Sequence, residues 1–358
     1  MPRKTLAGGK GRTLLAECPG ALLQFFDTHQ ACALRLVCRE FQAAVAAYPW
    51  EDRETVIMGS IGRWRACFPR ARCASVCMTY AGRHTPVVDA DFVHFVGLWE
   101  LNMARCTAVT DAAFVHLRGI RVLNMGGCWQ PTITDAGLAH LVGIQKLCIA
   151  GCYQATLTDA AFAPLRGIRV LNMGECEQLT DAAFSHLKGI HTLLMRHCDQ
   201  PTITDAGLAQ LAGIQKLCIW GCNQDTLTDA AFVPLRGIRV LNINACPQFT
   251  DAAFVHLKGM HTLLMAFCHQ RTITDAALAH LKGIKCLVLD SCSIPFTEVG
   301  LAHLQGITRL HMYHANAASI AAARDLGLPA TTGVWAQYST FRWSDTESGP
   351  WPAGAEWV

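Results

Sequence analysis

The chain has 358 residues, 51% of them apolar and only 16% charged, a composition that excludes bulk disorder and supplies ample core. Lys and Arg number 30 against 27 Asp and Glu, a net charge of +3, too balanced to call for nucleic acid or an anionic membrane as partner. No stretch approaches the roughly 18 uncharged apolar residues of a membrane span.

Residues 1–13 read as a flexible basic leader with no apolar run behind them, so no secretory signal is expected. The chain carries 18 cysteines, half of them at a strict period. Their density is below that of a disulfide scaffold, and they are read as reduced thiols of an intracellular protein, cytoplasmic or nuclear. Residues 14–50 pattern as short amphipathic helices: one at Leu14–Cys18, one at Leu22–Phe26 and one over Ala33–Phe41, with Trp50 beyond. Residues 51–67 read as a linker, and a basic cluster (Arg63, Arg65, Arg70, Arg72) crosses its end.

From residue 68 to 315 the chain is periodic. Thr-Asp recurs at Asp111, Asp135, Asp159, Asp181, Asp205, Asp229, Asp251 and Asp275, spaced 24, 24 and 22 residues in rotation. Residues 111–180 and 181–250 agree at 51 of 70 positions, which reads as tandem duplication. Within one module Phe162, Leu165 and Ile168 follow a helical period, and Leu171 and Met173 a strand period. Thr or Asp suits the helix N-terminus. A glycine, such as Gly119 or Gly167, closes each helix as a left-handed C-cap. Pro164 and Pro234 should make two of the helices short or irregular. A first strand is expected from Cys73, Val76, Met78 and Ala81, and a last one from Ile307, Leu310, Met312 and Ala315, eleven in all. Residues 316–358 lose the period: Ala317–Leu326 should form a capping helix, ahead of a tail holding Trp335, Trp343, Trp351 and Trp357.

The pattern L-x-x-L-x-[LIM]-x-x-C, closed by Cys106, Cys128, Cys152, Cys176, Cys198, Cys222, Cys246, Cys268 and Cys292, resembles the cysteine-containing subclass of leucine-rich repeats. That resemblance implies an α/β fold, a right-handed solenoid with a parallel concave sheet and convex helices. The cysteine column reads as small buried residues closing each turn. His94, His116, His140, His186, His256, His280 and His303 form a second column, spaced too widely for shared ligation, and no metal site or cofactor is expected.

Residues 14–50 resemble an F-box. Leu14, Glu17, Cys18, Leu22, Leu23, Phe25 and Phe26 fall on the first part of its pattern, and Leu34, Val37, Cys38, Arg39, Phe41 and Trp50 on the second. Leu15 stands where the family usually has proline, and Pro19-Gly20 falls within its first helix. The resemblance implies a substrate-receptor subunit of an SCF-type (cullin-RING) ubiquitin ligase, monomeric outside the complex. Leu14, Leu22, Phe25, Phe26, Leu34, Val37, Cys38, Phe41 and Trp50 would meet the Skp-type adaptor. The alternative is a stand-alone repeat scaffold whose first helices only cap the array.

Strand positions between the apolar ones should face the concave side. The candidates there for holding a target protein are Lys146, Arg196, Lys216, Trp220, Asn244, Asp290, Arg309, His311 and Tyr313. Read strand by strand, they form no unbroken basic track, so nucleic acid is not expected; an adaptor role through Arg63–Arg72 is the weaker alternative. Of the 19 differences between the two 70-residue copies, eleven lie on these strands or the loops after them. There is no G-x-S-x-G, phosphate-cradling glycine loop or H-E-x-x-H, and no enzyme activity is expected.

Overall fold

Each threonine of the Thr-Asp pairs sits just before a convex turn in extended backbone, and its hydroxyl accepts a hydrogen bond from the N–H two residues on, as Thr110 does from Ala112 at 3.2 Å. The computed structural model describes residues 22–77 and 86–332. Most convex segments of the described residues contain a single α-turn, such as Asp135–Leu138, and in three of them a 3-10 turn continues it, as Val115–Leu117 continues Asp111–Phe114. Where Pro164 and Pro234 fall, the whole segment is 3-10, Asp159–Leu165 and Asp229–Leu235. Proline lacks the N–H that an α-turn would use. Gly119 then turns the chain toward the sheet at φ +84°, a conformation that costs other residues a clash at Cβ.

Twelve short strands follow among the described residues: β1 Cys73–Ser75, β2 Glu100–Asn102, β3 Val122–Asn124, β4 Lys146–Cys148, β5 Val170–Asn172, β6 Thr192–Leu194, β7 Lys216–Cys218, β8 Val240–Asn242, β9 Thr262–Leu264, β10 Cys286–Val288, β11 Arg309–His311 and β12 Ala330–Thr331. All pair in parallel and in chain order. Their central residues align as one buried row, Leu101 beside Leu123, Leu147 and Leu171. The core between sheet and convex turns is continuous from Ile57 to Leu328.

Two expectations about the array's ends change. Ala74, not Val76, pairs with Leu101, so β1 is shifted by two residues from the expected register, and Ala74 and Val76 are the buried pair. Met78 and Ala81 lie outside the described residues. The closing helix Ala317–Asp325 is followed by a twelfth strand, β12, beside β11; Asn316 caps that helix through Ala318 N–H at 3.0 Å. The tryptophans of the tail lie outside the described residues, as does Leu14.

Among the described residues the N-terminal helices include α1 Thr28–Leu34, α2 Arg39–Ala47 and α3 Ile61–Cys67. The helix expected over residues 33–41 is broken, because Cys38 is extended (φ −161°, ψ 169°) and caps α2, its sulfur accepting from Phe41 N–H at 3.5 Å. These helices share a small core, Leu23, Ala31, Val45, Trp50, Phe68 and Ala71. Residues 51–67, expected as a linker, are built into the array. Val56 bridges Ser75 of β1, Ile57 enters the main core, and Arg53 pairs with the buried Glu100 at 2.7 Å. Burial alone would raise the Asp52 carboxyl. Bonds from the Thr28 N–H and hydroxyl, and from Thr55, outweigh it and hold that carboxyl below its ordinary range.

Candidate functional site

Two surfaces gather the residues singled out by the sequence. On the N-terminal helices, Trp50 is buried, with its indole N–H donating to the Val45 carbonyl at 2.8 Å. That makes it a core residue of the module. Phe26, Leu34 and Phe41 are half-buried and Cys38 is exposed. Leu22, Phe25 and Val37 are left 43%, 78% and 66% exposed. Leu36, which pattern reading passed over, is 88% exposed beside Val37. The signal was present: Leu34 and Leu36 are two residues apart and cannot share one helical face.

On the concave face Lys146 and Lys216 open β4 and β7, three strands apart, both half-buried, while Arg309 at the start of β11 is exposed. Arg196 pairs with Glu175 at 3.2 Å, and Trp220 of the next repeat lies 5.7 Å from the ring of the adjacent His197. Tyr313 packs edge-on against His314.

Three of the candidates are buried, and two of them, Asn244 and Asp290, brace the backbone. Asn244 accepts from Ala266 N–H at 2.8 Å, Asp290 accepts from Tyr313 N–H at 2.7 Å, and His311 meets the Thr331 hydroxyl at 2.9 Å. Burial pushes the His311 imidazole down. The side chains over β9 and β10 pack on one another as a small cluster of Leu264, Ala266, Cys286 and Val288. Strand alternation alone does not reveal that adjacent concave residues cover each other. The sequence reading also missed Trp129 and Tyr153. They follow Cys128 and Cys152 on neighbouring loops, are half-exposed, and stack with centroids 6.2 Å apart and planes at 8°. Their signal is the replacement by Asp199 and Asn223 in the second copy.

The column cysteines are buried, and each thiol reaches the carbonyl just past the strand of the preceding repeat, as Cys198 does to Met173 at 3.1 Å and Cys222 to Met195 at 2.9 Å. Burial pushes the Cys198 thiol up to about 12; on the concave side it raises Cys148 to about 12 and Cys218 to about 11. Thiolates are the reactive form. Iodoacetamide at pH 8 should therefore label Cys32 and Cys38, which are exposed, and spare the column until denaturant is added. Peptide mass spectrometry reads the difference, and native labelling of Cys198 at the Cys38 rate would contradict it. Among the described residues no group of His, Cys, Asp and Glu could hold a metal ion, and no helix is long and apolar enough to cross a membrane.

No protein-family model matches the chain, and no curated protein does. Solved structures do. The Toll receptor of Drosophila in its complex with Spatzle superposes with a TM-score of 0.50 at 16% identity, over 74% of this chain and 37% of that one. The fold is a leucine-rich-repeat solenoid. A TLR13–ssRNA13 complex matches at TM-score 0.44 and 14% identity, over 70% of this chain and 47% of that one. Yeast Rad7 in complex with Elc1 matches at 0.42 and 16%, over 79% and 84%. The chain thus spans less than half the length of the TLR13 and Toll chains. Such solenoids present extended concave surfaces for partners.

Proposed function

We propose that this protein is a non-catalytic substrate receptor of an SCF-type ubiquitin ligase, with the N-terminal helices docking a Skp-type adaptor and the repeat surface holding a target protein. The observation that carries this reading is the split character of the N-terminal module. One side, Leu23, Ala31, Val45 and Trp50, is closed against Phe68 and Ala71 at the start of the array. Leu22, Phe25, Leu36 and Val37 are left in solvent. A module that only capped the solenoid would have no use for exposed apolar side chains at adjacent positions, whereas a partner's groove would bury them. Val37 and Cys38 also lie in the stretch that most resembles an F-box.

On the target side, the aromatic and Arg groups are the natural anchors of a protein interface: Trp220 against His197, the neighbouring Arg196 paired with Glu175, and the Trp129–Tyr153 stack. Ubiquitin transfer itself would belong to the cullin-RING subunits.

The test is co-expression with a eukaryotic Skp-type adaptor, reading mass by light scattering, beside a Phe25→Asp, Val37→Asp variant. Both side chains are mostly exposed, so the variant should fold. A one-to-one complex that the variant loses is the expected result. A folded monomer with no complex would leave a stand-alone repeat scaffold.

A further inference from the structure

The topology brings together charges that the linear sequence scatters. In every repeat the five residues running from the helix end through the turning glycine to the first strand residue lie at one edge of the sheet. Residues 118–122 before β3 and 166–170 before β5 are examples. Between residues 101 and 315, thirteen of the sixteen Lys and Arg fall in these segments, and none of the fourteen Asp and Glu does. All the carboxylates lie beyond the strand C-termini, on the strand-exit loops or the first convex turn.

The basic positions recur along the edge in two columns, neither of them filled in every repeat. Arg121, Arg169, Arg239 and Lys285 occupy the place before the strand, and all are exposed. Arg118, Arg166, Lys188, Arg236, Lys258 and Lys282 occupy the place before the glycine, and these are exposed too. Parallel strands lie about 4.8 Å apart, so from β3 to β11 the edge runs for roughly 38 Å; the corresponding segment before β2 carries no Lys or Arg and ends in Glu100, which pairs with Arg53. Arg72 extends it at the N-terminal end, where it and Arg121 lie over the Trp99 ring at 4.1 and 4.9 Å.

We infer that this edge of the solenoid is a binding track for the phosphodiester backbone of a nucleic acid, read without regard to sequence. Compensating the negative end of a helix accounts for about one cation per repeat, next to the glycine. It does not account for the second column, which lies past the turn and beside the strand. An acidic protein would also be drawn to such a track, but protein interfaces need an apolar centre. Here Ile120, Ile168 and Ile238, the apolar residues between the cations, are buried in the solenoid core. A polyanion requires only evenly spaced cations, and a single strand can follow a curved edge without the bending cost of a duplex. This track is separate from Leu22, Phe25, Leu36 and Val37, so it stands or falls independently of the adaptor reading.

The test uses the full chain and fluorescence anisotropy with a labelled 20-nucleotide single strand, RNA or DNA, and a 20-base-pair duplex, from 50 to 200 mM salt. The decisive variant is Arg166→Glu, Arg169→Glu, Arg236→Glu, Arg239→Glu, with Arg271→Glu, off the edge, as control. The expected result is binding whose log-log salt slope falls by roughly 3 units in the quadruple variant, with affinity reduced at least ~100-fold, while the control changes little. If the quadruple variant does not fold, the Arg166→Gln, Arg169→Gln pair and the Arg236→Gln, Arg239→Gln pair are measured separately, each with about half the effect. Tighter binding of the single strand than the duplex would place the flexible backbone on the curve; either form bound through these residues upholds the track. Absence of binding at 50 mM salt, equal affinity of the variant, or tighter binding of polyglutamate than of nucleic acid would overturn it.

Discussion

Gly207→Ala is expected to destabilise the protein by about 1–3 kcal/mol, although alanine normally stabilises a helix by roughly 0.5–1 kcal/mol relative to glycine. Gly207 is buried in the convex turn Asp205–Leu208 with ordinary helical backbone. An added Cβ would run into the Asp181 carboxylate of the preceding repeat and lie 3.3 Å from the Phe184 ring. That carboxylate cannot swing away, because both oxygens are engaged. One accepts from Thr204 N–H at 2.8 Å and the other from the Thr204 hydroxyl at 2.6 Å. The same lock recurs nine times, from Asp89–Thr110 to Asp275–Thr297, each tying one repeat to the next.

Hydrogen bonds to a charged partner contribute about 1.5–3 kcal/mol each. Thr204 is only half-buried, so water recovers part of the loss, and Asp181→Ala should cost about 2–4 kcal/mol. In that background Gly207→Ala should become neutral or stabilising, since its obstacle is gone. Urea unfolding of the two single variants and the double variant reads the cycle. A Gly207→Ala protein as stable as the parent would show that the carboxylate is not held where the locks require it.

The repeats, the strand positions and the irregular turns at Pro164 and Pro234 were legible because each is written within one module. The locks were not. Thr and Asp are adjacent in sequence, so both read as capping one helix. In the structure threonine caps its own turn while aspartate reaches back to no local group and instead holds the threonine 21 to 23 residues onward. The basic edge was hidden for the same reason, since Arg121 and Arg169 become neighbours of one track only once strands stack. Burial of Asn244 and Asp290 depended on how closely adjacent concave side chains approach, which strand alternation does not encode. Leu36 was misplaced because one helix was read through Cys38, where the chain in fact restarts.

A second long-range row predicts an even clearer effect. Gln200 is buried, and its amide Nε2 donates to the carbonyls of Cys176 and Leu179, both at 3.1 Å. Gln130 does the same toward Cys106 and Val109, and Gln154, Gln178, Gln224, Gln248 and Gln270 each reach the column cysteine of the repeat before. Gln200→Ala removes two buried hydrogen bonds, about 0.5–1.5 kcal/mol apiece, because the Leu179 carbonyl keeps the Thr202 hydroxyl and the Cys176 carbonyl keeps the Leu179 N–H. Gln200→Glu keeps the volume but faces those carbonyls with an acceptor and a buried charge, so at pH 7 it should cost more than alanine. Its carboxyl would be held above the unfolded value of about 4.3 by the same burial. The charged form is then the one the fold rejects, and the penalty grows as pH rises above the unfolded pKa. As pH falls toward that value the carboxyl gains a proton, becomes a donor again, and the deficit relative to the parent should close. Denaturant midpoints at pH 5 and pH 7.5 measure this, with Gln200→Ala as the pH-independent control. A Glu variant equally destabilised at both would show that shape, and not the donated hydrogen bonds, is what the repeat needs at this position.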